Sequence, residues 1–135
     1  MKRKMIATVL LSVLLLIGCS APKVDITRQQ IIAAYQDAGY SVFSRDYEEA
    51  LEGFEVGYIQ ANHPDGDYIY FSIFETPEQA ETYKQEYYHP GALGLFLSMF
   101  SGELCVPKWR VYGCYVIQYE NPDFYEPFEK LVNGK

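Results

Sequence analysis

The chain has 135 residues, of which 49% are hydrophobic and 16% aromatic, and it carries a formal net charge of −7. That is ample apolar material for one buried core, which excludes a disordered polar stalk. The acidic balance speaks against nucleic acid as a partner, because affinity for a duplex rests on cationic contacts to phosphate.

Lys2, Arg3 and Lys4 form a positive N-terminal region, followed by the uncharged, mostly apolar run Met5 to Ile17. A membrane-spanning helix needs about 20 apolar residues, so this run is too short to cross a hydrocarbon core. It also has no polar face to turn to solvent, as a core helix at a domain surface would need. The layout is that of a secretory signal. Leu16-Ile17-Gly18-Cys19 closes the run, and these four residues resemble a bacterial lipobox. The resemblance covers the first twenty or so residues. It implies a diacylglyceryl thioether on Cys19, cleavage between Gly18 and Cys19, and a mature chain held at the outer face of a membrane. Ser20, a neutral residue where Asp would retain a lipoprotein in the inner membrane, implies the outer membrane if the host is Gram-negative. Two acyl chains anchor stably where one binds marginally.

The organisation that follows is a signal peptide over 1–18, a lipidated cysteine with a short tether over 19–25, and one α+β domain over 26–135. Without the first 18 residues the chain keeps 8 basic residues against 18 acidic ones, a net charge of −10. The six residues Ser20 to Asp25 reach at most about 20 Å, so the domain sits against or just above its membrane.

Thr27 starts the first helix as its N-cap, with Gln30 completing a capping box and Ile26 stapled onto Ile31. Ile31, Ala34, Tyr35 and Ala38 share one face at helical spacing, and Gly39 supplies a left-handed stop. Two strands are expected next, about 54–61 and 68–74, joined by Asn62-His63-Pro64-Asp65-Gly66-Asp67. Thr76-Pro77-Glu78-Gln79 opens a second helix with a cap, an N1 proline and a box partner, and Ala80, Tyr83 and Tyr87 form its inner face. A hairpin from Trp109 to Tyr119 turns at Tyr112-Gly113. Asn121-Pro122 starts a last short helical segment carrying Phe124, Phe128 and Leu131, with Pro127 in its first turn. Phe74-Glu75-Thr76-Pro77-Glu78 and Tyr119-Glu120-Asn121-Pro122-Asp123 share one pattern, which suits a ββα pseudo-repeat, although cap chemistry alone accounts for it equally well. The expected architecture is α+β, an antiparallel sheet with helices packed on one face.

With Ala61 opposite Tyr68, the residues Phe54, Val56, Tyr58, Ile69, Phe71 and Ile73 gather on a core face. The other face then carries Glu55, Gly57, Ile59, Ala61, Tyr68, Tyr70, Ser72 and Phe74. Tyr68, Tyr70 and Phe74 mark it as a candidate binding face for a protein, peptide or glycan, since aromatic, amphipathic surfaces serve such contacts. β-strands also favour aromatics with no ligand at all. The most apolar stretch of the mature chain, 92–100, is either buried or an exposed patch for lipid or a membrane partner. Cys105 and Cys114 either pair in an oxidising compartment or sit apart as small hydrophobes.

Catalytic signals are sparse. No G-x-S-x-G, H-E-x-x-H, P-loop or dinucleotide glycine pattern occurs. His63, Asp65 and Asp67, with His89, are the residues from which a cell-envelope hydrolase or metal enzyme would be built, yet turn chemistry explains the loop without a metal. No cofactor and no metal ligands are assigned. The favoured function is a noncatalytic, membrane-anchored binding module.

Overall fold

The structure is a computed structural model that describes residues 24–88 and 107–134. The lipobox and Cys19, His89, Cys105 and the stretch 92–100 lie outside the described residues. The fold is α+β. Five antiparallel strands form one sheet: β1 (Ser41–Asp46), β2 (Gly57–Asn62), β3 (Tyr68–Ile73), β4 (Lys108–Tyr112) and β5 (Tyr115–Tyr119), in the order β1-β2-β3-β5-β4. Among the described residues the helices are α1 (Arg28–Asp37), α2 (Pro77–Tyr87) and α3 (Glu126–Asn133), the last preceded by a 3₁₀ turn over Pro122–Tyr125.

Local chemistry sets the helix starts. Thr27 accepts a hydrogen bond from the Gln30 amide, and the Gln30 side chain accepts one from the Thr27 amide at 2.8 Å, a complete capping box. Thr76 accepts from the Gln79 amide at 3.2 Å with Pro77 behind it. Asn121 does the same for the Asp123 amide at 3.0 Å. Gly39 ends α1 at a φ of 89°, where a side chain would be strained.

The core lies between the sheet and the pair α1 and α3. Ile31 and Tyr35 of α1 and Phe128 of α3 pack on Ile59, Ala61, Ile69, Phe71 and Ile117, all fully buried. Tyr35 closes this layer: its hydroxyl donates to the Phe124 carbonyl at 2.7 Å, and its ring meets Phe71 and Tyr40 edge-on. Burial holds that phenol far above its ordinary pKa, so it serves as a neutral donor.

The β2–β3 register corrects the sequence expectation by one residue. Asn62, not Ala61, faces Tyr68, and the loop His63–Asp67 is closed by the His63 amide donating to the Asp67 carbonyl at 2.8 Å. A one-residue slip exchanges every side chain of one strand between faces. Ile59 and Ala61 therefore line the core with Ile69 and Phe71, and Tyr58 moves to the other face beside Tyr70. The β4–β5 turn also differs, with Tyr112 opposite Tyr115 across Gly113 and Cys114. There the shift preserves the faces: Arg110 lies over the Tyr125 ring, 4.6 Å from its centre, while Trp109 stacks on Tyr83 on the other side.

The second helix departs from a one-faced arrangement. Ala80 and Tyr83 pack on Val116, Trp109 and Val111, whose side chains alternate with the core-facing Ile117 and Arg110. α2 thus covers part of the second face, while α1 and α3 cover the first. The aromatic before each helix lies on the side that its helix covers. Phe74 points to the second face and leads into α2; Tyr119 points to the first and leads into α3. A two-fold axis between the antiparallel β3 and β5 would place both helices on one face, so the two ββα units are not a symmetric repeat.

Candidate functional site

On the second face, register aligns Phe43, Gln60, Tyr70, Gln118 and Trp109 in one row across all five strands. Asn62 and Tyr68 extend it toward one end of the sheet, and Arg45, Tyr58, Ser72 and Val116 form the row behind. Phe43 is 59% exposed and Tyr68 54%, while Gln60, Tyr70, Gln118 and Trp109 are half-buried. Among the described residues, α2 covers the Phe74 end of this face and leaves the Tyr68 end to solvent.

The row alternates flat apolar rings with amides. Tyr70 stacks on Tyr58 with centroids 5.3 Å apart and planes within 14°. The Tyr70 and Tyr47 hydroxyls both donate to the Glu55 carboxylate, at 3.4 Å and 3.1 Å. Burial, reinforced by Tyr47 and the Glu55 charge, raises the Tyr70 pKa far above its ordinary value. The phenols are therefore neutral, with fixed hydroxyls. Gln60 Nε2 donates to Asn62 Oδ1 at 2.8 Å, which orients both amides. Such a surface offers ring faces for stacking and donors and acceptors for a polar ligand, with no nucleophile or paired acid and base.

Of the residues assigned to this face from sequence, Tyr68 and Tyr70 are on it and available. Phe74 is on the same side but is corrected as a contact residue: it is 2% exposed, packed with Ala80, Val116 and Tyr83. Sequence reading had no means of placing α2 over it. Reading also missed Phe43, Tyr58, Gln60, Gln118 and Trp109. Tyr58 was lost to the register slip. Phe43 sits on an edge strand whose side chains are nearly all exposed, so it lacks the alternation that signals a strand.

The His63 loop lies at the Tyr68 end of the sheet. His63, Asp65 and Asp67 line a cleft of about 400 Å³ with Tyr40, Asp123 and Phe124. The imidazole stacks on Phe124 at 5.2 Å and meets Tyr40 edge-on at 5.1 Å. Its Nδ1 accepts from the Asp65 amide at 3.3 Å, so the ring closes its own turn. Among the described residues no group of three or more His, Cys, Asp or Glu side chains is arranged to hold a metal ion. Cys114, in the β4–β5 turn, is a half-buried free thiol whose Sγ lies 3.9 Å from the Glu75 carbonyl, with its pKa raised chiefly by burial.

Comparison with protein-family models, with curated proteins and with solved structures finds nothing that matches this chain.

Proposed function

We propose that the protein is a lipid-anchored, extracytoplasmic bacterial lipoprotein that works as a noncatalytic binding module. Cys19 carries the anchor, at the outer face of the cell membrane or in the outer membrane of a Gram-negative host. A peptide, protein or glycan is held on the open part of the row, Phe43-Gln60-Tyr70-Gln118, together with Tyr68, and Trp109 stands at the covered end of the row beneath Tyr83. The anchor reading is supported by the basic start, the apolar run and the Leu16-Ile17-Gly18-Cys19 motif. The binding reading is carried by the aromatic and amide row itself. Rigid rings give contact area at small entropic cost, and interleaved amides give direction to the polar groups between them.

Trp109, the single tryptophan of the chain, stands in the row and serves as its reporter. The purified mature chain is titrated with soluble cell-wall glycan fragments and with envelope-derived peptides while Trp109 emission is followed. A saturable shift with one class, abolished by Tyr68→Ala with folding intact, supports the module and names its ligand class. An equal shift with Tyr68→Ala, or no shift with either class, removes this face from consideration. Mass spectrometry of the N-terminus from native cells tests the anchor: an unmodified Cys19 defeats it.

A further inference from the structure

The two ends of the sheet carry different chemistry, and the chain enters the fold at one of them. The Val24 carbonyl accepts a hydrogen bond from the Tyr112 hydroxyl at 2.7 Å, and the Ile26 carbonyl accepts one from Tyr115 at 3.0 Å. Tyr112 and Tyr115 face each other at the β4–β5 turn, so the entering backbone is stitched to the end of the sheet that also holds Asp46, Gly57 and Ile73. The loop between β1 and β2 leaves from this same end. It displays Leu51, 71% exposed, and Phe54, 42% exposed, and Val24 itself is 55% exposed. The opposite end bears Asp65, Asp67, Glu120 and Asp123 around the His63 cleft and the Tyr68 rim.

We propose that the end bearing Val24, Leu51 and Phe54 rests on the lipid surface to which the chain is tethered, and that the cleft and Tyr68 are presented outward. The proposal rests on the lipid-anchored reading of Cys19. Two independent observations lead to it. The first is reach. From Cys19 to Val24 the chain extends at most about 18 Å. β2 and the turn after it carry the opposite end roughly 20 Å or more from Gly57. Turning the domain over would need the tether at or past its full extension. The second is chemistry. Large apolar side chains are exposed at the same end of the sheet as the point of entry, where a bilayer can take them up.

Glu48, Glu49, Glu52 and Glu55 flank those apolar residues, so anionic lipid opposes the contact over a Debye length. Leu51 and Phe54 do not recruit the domain by themselves. The anchor confines them at high effective concentration, and the contact then forms on neutral lipid and weakens as anionic lipid is added.

The test couples the mature chain through residue 19 to a maleimide phospholipid in phosphatidylcholine vesicles, so that anchoring does not depend on processing in a cell. Cys105→Ser and Cys114→Ser leave one reactive thiol, and Trp109→Phe leaves a single introduced tryptophan, Leu51→Trp or Asp65→Trp. A nitroxide on the lipid headgroups should quench tryptophan at 51 at least twofold more than tryptophan at 65. Equal or reversed quenching overturns the proposal. Hydrogen exchange on anchored chain with Leu51, Asp65 and Trp109 retained guards against an orientation imposed by the new ring. Amides 48–54 should slow on anchoring while 63–67 do not; the opposite pattern also overturns it. An unlipidated Cys19 in native cells would defeat the anchor reading separately, with this orientation already read.

Discussion

Replacing Gly57 by alanine tests how the entry end of the sheet is built. Gly57 opens β2, opposite Asp46 on one side and Ile73 on the other. It has no positive φ to explain its choice; the reason is space. A Cβ there would stand 2.7 Å from the Arg45 carbonyl oxygen, 2.8 Å from Asp46 Oδ1 and 3.1 Å from an Arg28 guanidinium nitrogen. The carbonyl belongs to a paired strand and cannot swing aside, so β1 must retreat by about 0.7 Å to restore ordinary contact. Overpacking of this kind costs about 1–3 kcal/mol. For a domain of this size each kcal/mol lowers Tm by about 4 °C, so a fall of roughly 4–12 °C is expected by calorimetry. The same methyl pushes on the Arg28–Asp46 ion pair, whose hydrogen bond holds the Asp46 carboxyl below its usual pKa. Carboxyl titration by NMR should therefore show Asp46 moving back up toward its ordinary value. Gly53→Ala is the control, because its site is open although its φ is 81°. It should cost about 1 kcal/mol in backbone strain and leave Asp46 unmoved. A Gly57→Ala protein melting within 2 °C of the parent, with Asp46 unchanged, would refute this account of the β1–β2 junction.

Phe74→Ala should cost about 3–5 kcal/mol in denaturant unfolding, and Tyr68→Ala no more than about 0.5 kcal/mol, because only the first empties a buried site. Comparable losses would mean that α2 does not cover the second face as described. Tyr35→Phe leaves the Phe124 carbonyl without its buried donor and should cost about 1–3 kcal/mol, with faster hydrogen exchange at 124–126 around the cleft; an unchanged stability would deny that bond its role. Burial raises the phenol pKa of Tyr35, Tyr40, Tyr47, Tyr70, Tyr83, Tyr115 and Tyr125 above 10.0. Their neutral forms favour the fold, a contribution complete below pH 10 and lost as pH rises further, when the unfolded chain ionises first. The chain has 13 tyrosines, so absorbance at 295 nm should reach its full amplitude only together with loss of the circular dichroism signal, and complete ionisation of all 13 in a protein that is still folded would contradict it.

What the sequence by itself determined was local. Thr27 with Gln30, Thr76 with Gln79, and Asn121 with Asp123 each satisfy amides within three residues, so the starts of α1, α2 and the 3₁₀ turn needed nothing from elsewhere in the chain. The α+β class followed from those caps and from the apolar runs between them. Tyr68 and Tyr70 could be placed on one face because they are two apart on one strand. The partners of that strand were another matter. Whether Ala61 or Asn62 meets Tyr68 depends on how the His63–Asp67 loop closes and on which face the helices cover, and one residue of difference exchanged Tyr58 for Ile59. β1 was not among the expected strands, because an exposed edge strand is stabilised by its neighbour's hydrogen bonds rather than by its own pattern. Phe74 falls on the Tyr70 face by strand alternation, and it is buried because α2 packs over it. Periodicity and capping act within a few residues and leave their marks in the sequence. Register, helix side and burial are settled by contacts between segments far apart in the chain, where only the assembled sheet can choose among alternatives of nearly equal local energy.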